Sequence, residues 1–247
     1  FFGEMQLTPL MKQVKPVQAL ARWKSLAHLR RQVKDPALRA KLVPDFPIGA
    51  KRVLFNDDYY PTLSRPNVEL VTDPIECIEP EGVRSRSGQL YPADVIIYAT
   101  GFKSTDFLAP MQITGRGGLD LKQEWSRGAR AYLGVTVSGF PNFFMLYGPN
   151  TNLGHNSILV MIEAQVGYIL DALAKMKTRD VKRIDVRRDV LDAYNRNLQQ
   201  DLAKSVWAAT GASWYKLADG TITNNWPHST IRYRRLLRAA RREDYET

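Results

Sequence analysis

Three stretches of this sequence carry residue types and spacings that can do chemistry. The first is Pro47-Ile48-Gly49-Ala50-Lys51-Arg52, two adjacent cations after a turn shaped by proline and glycine, with Asp57 and Asp58 close behind. An arginine keeps its charge inside a protein and offers a fixed fork of N–H donors. That suits it to hold an anionic intermediate or a phosphate. Surface salt bridging is the plainer reading, and spacing alone favours it. The second is Asp94-Val95-Ile96-Ile97-Tyr98-Ala99-Thr100-Gly101-Phe102, an apolar run ending in a small-Thr-Gly turn. The spacing predicts a strand buried on both faces, with a backbone that can pass close to a ligand at its carboxyl end. A turn that needs a positive φ at Gly101 explains the same residues equally well. The third runs from Phe144–Tyr147 through Gly148-Pro149-Asn150-Thr151-Asn152-Leu153-Gly154-His155-Asn156-Ser157 into a long apolar stretch. A helix that starts there turns unpaired N–H groups and a partial positive charge toward whatever anion lies in front of it. The alternative is a core helix capped by Asn156. His155 reads as a loop or capping residue rather than a general base.

The elements that must position these residues follow from periodicity and punctuation. Val17, Leu20, Trp23, Leu26, Leu29 and Val33 recur at helical spacing. Asp35-Pro36 is a cap followed by proline at the first helical position, so a second, short helix follows and stops by Pro44. Residues 45–66 are too rich in proline and glycine for a regular element. From Asn67 the period changes: Val68–Val71, Pro74–Ile78 and Gly82-Val83 read as short strands, with a turn at Ser87-Gly88. Pro141–Tyr147 reads as a second buried strand. Ser157–Met176 reads as a long helix, apolar on most faces and therefore buried. A strand over Val181–Val186, an amphipathic helix from Leu191 to Val206, a Trp-rich irregular stretch and a basic helix complete the chain.

Composition bounds the function. The chain has 247 residues, of which 44% are hydrophobic and 24% charged, as in ordinary globular domains. The net charge is +10, with much of the excess around Arg30-Arg31 and from Arg232 to Arg242. Solvated helix faces account for it, and no RNA-binding signature, zinc-finger spacing or helix-turn-helix pattern points to nucleic acid. Cys77 is the single cysteine, so no disulfide forms within the chain, which fits a reducing cytosol. It alternates with apolar residues and reads as a core thiol rather than a nucleophile. The longest apolar run, Ile158–Ile162, is too short for a bilayer span of about 20 residues. Gly115-Arg116-Gly117-Gly118 fails the G-x-G-x-x-G pattern, because position 120 is Asp. His28, His155 and His228 lie in unrelated contexts and do not resemble a metal site, and no G-x-S-x-G elbow exists.

From about Val43 onward the chain resembles the class B flavoprotein monooxygenases, and within them the Baeyer–Villiger branch. The resemblance rests on DFPIGAKR, NDDYYPTLSRPNVELVTDPIE, DVIIYATGF, GRGGLDLKQEW, GFPNFFMLYGPNTNLGHNS, SWYK and ITNNWP, in that order. It implies an α/β fold, part of a flavoprotein with two Rossmann-like dinucleotide-binding domains. A helical N-terminal segment (1–44, from the NADP-domain insertion) would precede the remainder of the NADP domain and linker (45–101). The C-terminal part of the FAD domain (102–247) would follow. It implies FAD and NADPH as cofactors and O2 as co-substrate. One oxygen would be inserted next to a ketone carbonyl, giving an ester or lactone, by way of a flavin C4a-peroxide. Arg52 matches the arginine that stabilises the peroxide and holds the nicotinamide. Lys51 matches a residue near the NADPH 2′-phosphate, and Thr100 and Gly101 lie on the linker between cofactor domains. Asn156 and Ser157 fall where a helix start approaches the flavin, and Trp214 matches a tryptophan near the NADP and substrate pocket.

The departure from the family is large. Both glycine-rich dinucleotide fingerprints are absent from these 247 residues, and so is the family signature of Phe, Gly, His and Trp between them. The start, Phe1-Phe2-Gly3-Glu4, reads as a chain entered in its middle. The expectation is a fragment or half of a split assembly, inactive alone, cytoplasmic, with exposed strand edges and apolar faces. Its partner would be the missing N-terminal half. An N- or S-oxidising flavin monooxygenase, which generally lacks the arginine, and a non-catalytic basic interaction module are the competing readings.

Overall fold

The computed structural model describes residues 2–54, 56–211 and 213–247. In chain order its elements are α1 (Phe2–Met11), α2 (Lys15–Gln32), α3 (Pro36–Leu42), α4 (Tyr59–Leu63), β1 (Ile75–Glu79), β2 (Gly82–Ser85) and β3 (Leu90–Pro92). They continue with α5 (Leu121–Glu124), α6 (Ile158–Thr178), β4 (Asp185–Val186), α7 (Arg188–Leu202), α8 (Thr230–Leu236) and β5 (Tyr245–Glu246). The chain divides into two compact units. One takes the chain up to Leu20, then Phe46–Val53 and Lys103–Thr247; the other takes Ala21–Asp45 and Leu54–Phe102.

In the smaller unit the local signals act as chemistry dictates. Asp35 accepts hydrogen bonds from the N–H groups of Ala37 and Leu38 at 3.0 and 3.2 Å, and Pro36 opens α3. α3 stops at Leu42, before Pro44. β1, β2 and β3 form an antiparallel sheet in that order, with Ile78 opposite Val83 and Val83 opposite Tyr91. Three expectations fail here. Val68–Val71 forms no strand; instead the Leu70 carbonyl accepts from Lys41 Nζ at 3.2 Å. Cys77 is an exposed thiol, not a core one, because β1 is an edge strand with Ile75 and Ile78 exposed as well. Asp94–Ala99 is neither a strand nor buried: Val95 is 77% and Ile97 86% exposed. A strand is defined by hydrogen bonds to a neighbour, and among the described residues this segment has no strand to pair with. The exposed apolar surface expected from the missing fingerprints is present; the buried strand is not.

The larger unit builds its core from the loop Ala129–Phe140, from Met161, Tyr168 and Ala172 of α6, from Leu191, Leu198 and Leu202 of α7, and from Trp207, Trp226 and Tyr233. α7 buries one leucine stripe, as its periodicity requires, and β4 pairs antiparallel with β5, Val186 opposite Tyr245. Pro141–Tyr147 is not the strand its apolar run suggests. Asn142 and Tyr147 adopt left-handed backbone, with φ of 60° and 55°, which a strand cannot accommodate. α6 corrects two further expectations. Its cap is Ser157, whose Oγ accepts from Leu159 N–H at 3.2 Å, and Asn156 stands outside the helix. Its apolar surface is buried on one side only, since Leu159, Leu170 and Leu173 are exposed. Among the described residues no helix is long and apolar enough to cross a membrane.

Candidate functional site

The larger unit carries the cationic turn and the loop before α6. The turn closes with Ala50 N–H donating to the Pro47 carbonyl at 3.1 Å. Gln18 Nε2 donates to the carbonyls of Leu10 and Ile48, tying the turn to α1. Ala50 is fully buried, so the two residues that follow are driven outward, and Lys51 and Arg52 are both exposed. Lys51 Nζ lies 4.4 Å from the centre of the Phe46 ring, a cation–π contact. The charge of Arg52 reaches two phenols. Burial raises the pKa of Tyr147 and of Tyr215; Arg52 opposes the rise at Tyr147, and at Tyr215 the hydrogen bond with Trp214 opposes it first and Arg52 second.

The loop after Tyr147 owes its shape to close backbone packing. A Cβ at Gly148 would lie 2.4 Å from the Gly134 carbonyl oxygen, so neither position tolerates bulk. From Asn150 onward the loop is zipped to residues 222–226. Asn150 N–H donates to Thr223 O at 2.7 Å, Asn152 N–H to Asn224 O at 2.9 Å, and Trp226 N–H to Asn152 O at 2.9 Å. Asn150 Nδ2 reaches the carbonyls of Ile222 and Asn225, and Asn152 Nδ2 donates to Asn225 Oδ1 at 2.7 Å. Two separated asparagine-rich segments are thereby one rigid piece in front of α6. At its end, Asn156 Oδ1 accepts from Ser157 N–H at 2.7 Å and its Nδ2 donates to Thr230 Oγ1 at 3.2 Å.

Trp214 is half exposed, its ring 5.1 Å from that of Tyr215. Its carbonyl accepts from the Ser104 hydroxyl and from Asn224 Nδ2, which also bonds Ser104 Oγ at 3.0 Å.

No protein-family model matches the chain. A Baeyer–Villiger monooxygenase of Pseudomonas aeruginosa is 43% identical over 227 residues, which is 91% of this chain and 42% of that protein. This chain belongs to the Baeyer–Villiger monooxygenase family. An FAD-binding monooxygenase of Aspergillus niger, ktnD, is 43% identical over 88% of the chain and 36% of its own length. Among solved structures, OTEMO in complex with FAD and NADP matches with a TM-score of 0.81 at 31% identity, over 91% of this chain and 42% of that one. Oxidized steroid monooxygenase bound to NADP matches with a TM-score of 0.80 at 32% identity, over 93% and 44%. The chain thus spans about two fifths of the length of these relatives, whose C-terminal portion it matches. Its α/β fold is part of a Rossmann-like flavoprotein.

Within this Baeyer–Villiger chain, five of the residues singled out by sequence fall in the larger unit: Lys51, Arg52, Asn156, Ser157 and Trp214. Thr100 and Gly101 fall in the other. Gly101 has the positive φ its turn requires, 85°, with open space where a Cβ would stand. Sequence reasoning passed over Tyr147, Tyr215 and Asn225. Each sits inside a stretch that carries the family resemblance (MLYGPNTN, SWYK, ITNNWP), but only folding brings the first two under the charge of Arg52.

Proposed function

We propose that this chain is the part of an FAD- and NADPH-dependent monooxygenase that inserts one oxygen of O2 next to a ketone carbonyl, and that Arg52 is its key residue. The observation that carries the reading is the placement of Arg52: a permanent cation, pushed out by the buried Ala50, with its field on Tyr147 and Tyr215. Among the described residues of its unit no carboxylate pairs with it. A cation left unneutralised suits charge that develops on a ligand. The residues fit a flavin and a nicotinamide in kind: an exposed arginine and lysine, an exposed indole at Trp214, and the start of the 21-residue helix α6. FAD and NADPH, when bound, would supply the electrons that activate O2 for this insertion.

In this reading Arg52 stabilises negative charge beside the flavin and orients the nicotinamide. Lys51 holds the NADPH 2′-phosphate, Asn156 and Ser157 face the flavin ring, and Trp214 borders the substrate pocket. Thr100 and Gly101 link the cofactor domains, with 45–101 on the NADP side and 102–247 on the FAD side. The exposed apolar residues of α6 and of 94–99 are covered by the portion of the relatives that lies outside the match, in the same polypeptide or a second one. The 247 residues contain no G-x-G-x-x-G loop for a dinucleotide phosphate. Alone they therefore support no turnover, and NADPH-dependent oxygen uptake by the purified chain would refute that. The location is the cytoplasm.

The test is Arg52→Ala in the FAD-loaded, full-length protein. Ketone oxygenation is abolished while reduction of the flavin by NADPH is largely retained, because hydride transfer needs no stabilised oxygen anion. Retained ester or lactone formation would show that oxygenation does not depend on Arg52; oxidation of amines or sulfides with no ester or lactone formed by the native protein would instead favour the N- or S-oxidising reading.

A further inference from the structure

Gln165 is the one fully buried amide side chain of α6, with no exposed surface. A buried amide must be hydrogen-bonded to be tolerated in a core. Gln165 uses both ends. Its Nε2 donates to the Tyr233 hydroxyl at 2.9 Å, and that hydroxyl donates in turn to the Leu133 carbonyl at 2.6 Å. This fixes which end of the amide is the carbonyl. Gln165 Oε1 then accepts the backbone N–H of Tyr147 at 2.9 Å. Tyr147 is held by that bond in the left-handed backbone region, φ 55°, which bulky residues avoid and which persists only where surrounding structure over-determines it. The other end of Tyr147 is also secured. Its hydroxyl donates to Asn152 Oδ1 at 2.9 Å, and Asn152 is held by Asn225.

An apolar side chain would fill the Gln165 site at less cost in desolvation. The amide has a reason to be there if the conformation of Tyr147 matters. We infer that Gln165 is a positioning residue: through the backbone N–H of Tyr147 it holds that residue in its left-handed conformation, with the hydroxyl seated on Asn152, in the loop that leads to the proposed flavin-facing start of α6. This rests on the reading of that helix start as flavin-facing. It also makes a prediction about the isolated chain that does not depend on oxygenation. The Tyr147 phenol reports its own position, because Arg52 opposes the rise that burial imposes on it.

The experiment uses the chain labelled with 13Cζ-tyrosine and follows each phenol by NMR as the pH is raised. Arg52→Gln moves the Tyr147 midpoint up. Gln165→Met, similar in volume, moves it as well, and downward, because burial is the larger influence on this phenol and a ring freed from its seat loses it. Tyr215, which also feels Arg52 but is not held by Gln165, keeps its midpoint in Gln165→Met. The Tyr147 amide exchanges roughly tenfold faster once its acceptor is gone. A Tyr147 midpoint unchanged by Gln165→Met overturns the inference. So does a shift shared with Tyr215, which would mean general loosening. Should Gln165→Met fail to fold, Tyr233→Phe removes the hydroxyl that orients the amide and is read against the same two outcomes. Ketone oxygenation retained by Arg52→Ala would sink the proposed role of Arg52 and leave this titration standing.

Discussion

Gly49 and Gly154 close on the same methyl group: a Cβ at Gly49 would stand 2.9 Å from Met11 Cε, and one at Gly154 would stand 3.4 Å from it. The cationic turn and the loop before α6 therefore meet on one methionine side chain, itself almost fully buried. Met11 is fixed from behind, since Val206 N–H donates to its carbonyl at 2.8 Å. The Gly154 site also abuts Trp207, 3.3 Å away.

Truncating this shared side chain should cost more than a surface change, and the cost should couple to Gly154. Met11→Ala is expected to lower the unfolding free energy by about 3 kcal/mol, the usual range for a buried methionine. Gly154→Ala is mildly destabilising in the native background, where its methyl would stand 3.3 Å from Trp207 Cζ2 and 3.4 Å from Met11 Cε, and less so beside Met11→Ala, where only the Trp207 contact remains. Urea titrations of the two single variants and the double variant measure the coupling. Strict additivity would show that Met11 is not the element on which the two segments pack.

What the sequence discloses about this arrangement divides along a physical line. Signals that act over a few residues are legible: the Asp35 cap and Pro36 place α3, and the leucine spacing places α7. Signals that need a distant partner mislead. The apolar run 94–99 satisfies every local criterion for a strand, yet strand formation depends on a neighbour that periodicity does not reveal. Pro141–Tyr147 fails for another reason, because the left-handed Asn142 and Tyr147 are set by tertiary bonds such as the one from Gln165. The pairing of Asn152 with Asn225 joins segments 73 residues apart and leaves no trace in spacing. Arg52 is legible as a candidate because arginine chemistry is specific, but its neighbours Tyr147 and Tyr215 are not, since proximity in space is the property that defines them.

The backbone packing at Gly134 gives a sharper test of the loop's rigidity. Gly134 has φ of 69°, and a Cβ there would fall 2.1 Å from Thr151 Cγ2 and 3.0 Å from the Pro149 carbonyl oxygen. Thr151 is fully buried and its hydroxyl is committed to the Gly148 carbonyl at 2.7 Å, so it cannot swing aside. Gly134→Ala is expected to cost more than ~3 kcal/mol, combining left-handed strain with overpacking. Gly101 shares the positive φ, 85°, but nothing stands within 4 Å of its missing Cβ. Gly101→Ala should therefore cost only the conformational part, ~1–2 kcal/mol. Equal effects in thermal or urea unfolding would show that the loop around Gly148 yields.

His228 makes stability depend on pH in a direction that geometry decides. Its Nε2 lies 2.8 Å from Asp201 Oδ2 and its Nδ1 lies 3.2 Å from Arg232 Nη1. A guanidinium can only donate, so Nδ1 must accept and the single ring proton sits on Nε2, facing Asp201. The pair with Asp201 is thus a hydrogen bond to a neutral ring. Burial lowers the His228 pKa first and Arg232 lowers it further, with Lys12 adding to them; the opposing pull of Asp201 does not overcome the three. With the folded pKa below the unfolded value of about 6.5, the unfolded chain takes up a proton first as pH falls. The His228 contribution is therefore intact above about pH 6.5, declines as the pH drops below that, and levels off once the folded ring is also protonated. The slope in that window cannot exceed ~1.4 kcal/mol per pH unit from one group. His228→Gln keeps a donor and an acceptor but no titrating ring. It should flatten the slope between pH 7 and the folded-state pKa while leaving the acid limb set by carboxylates in place. If urea titrations across that range give the variant and the native chain the same slope, the neutral-ring assignment is wrong.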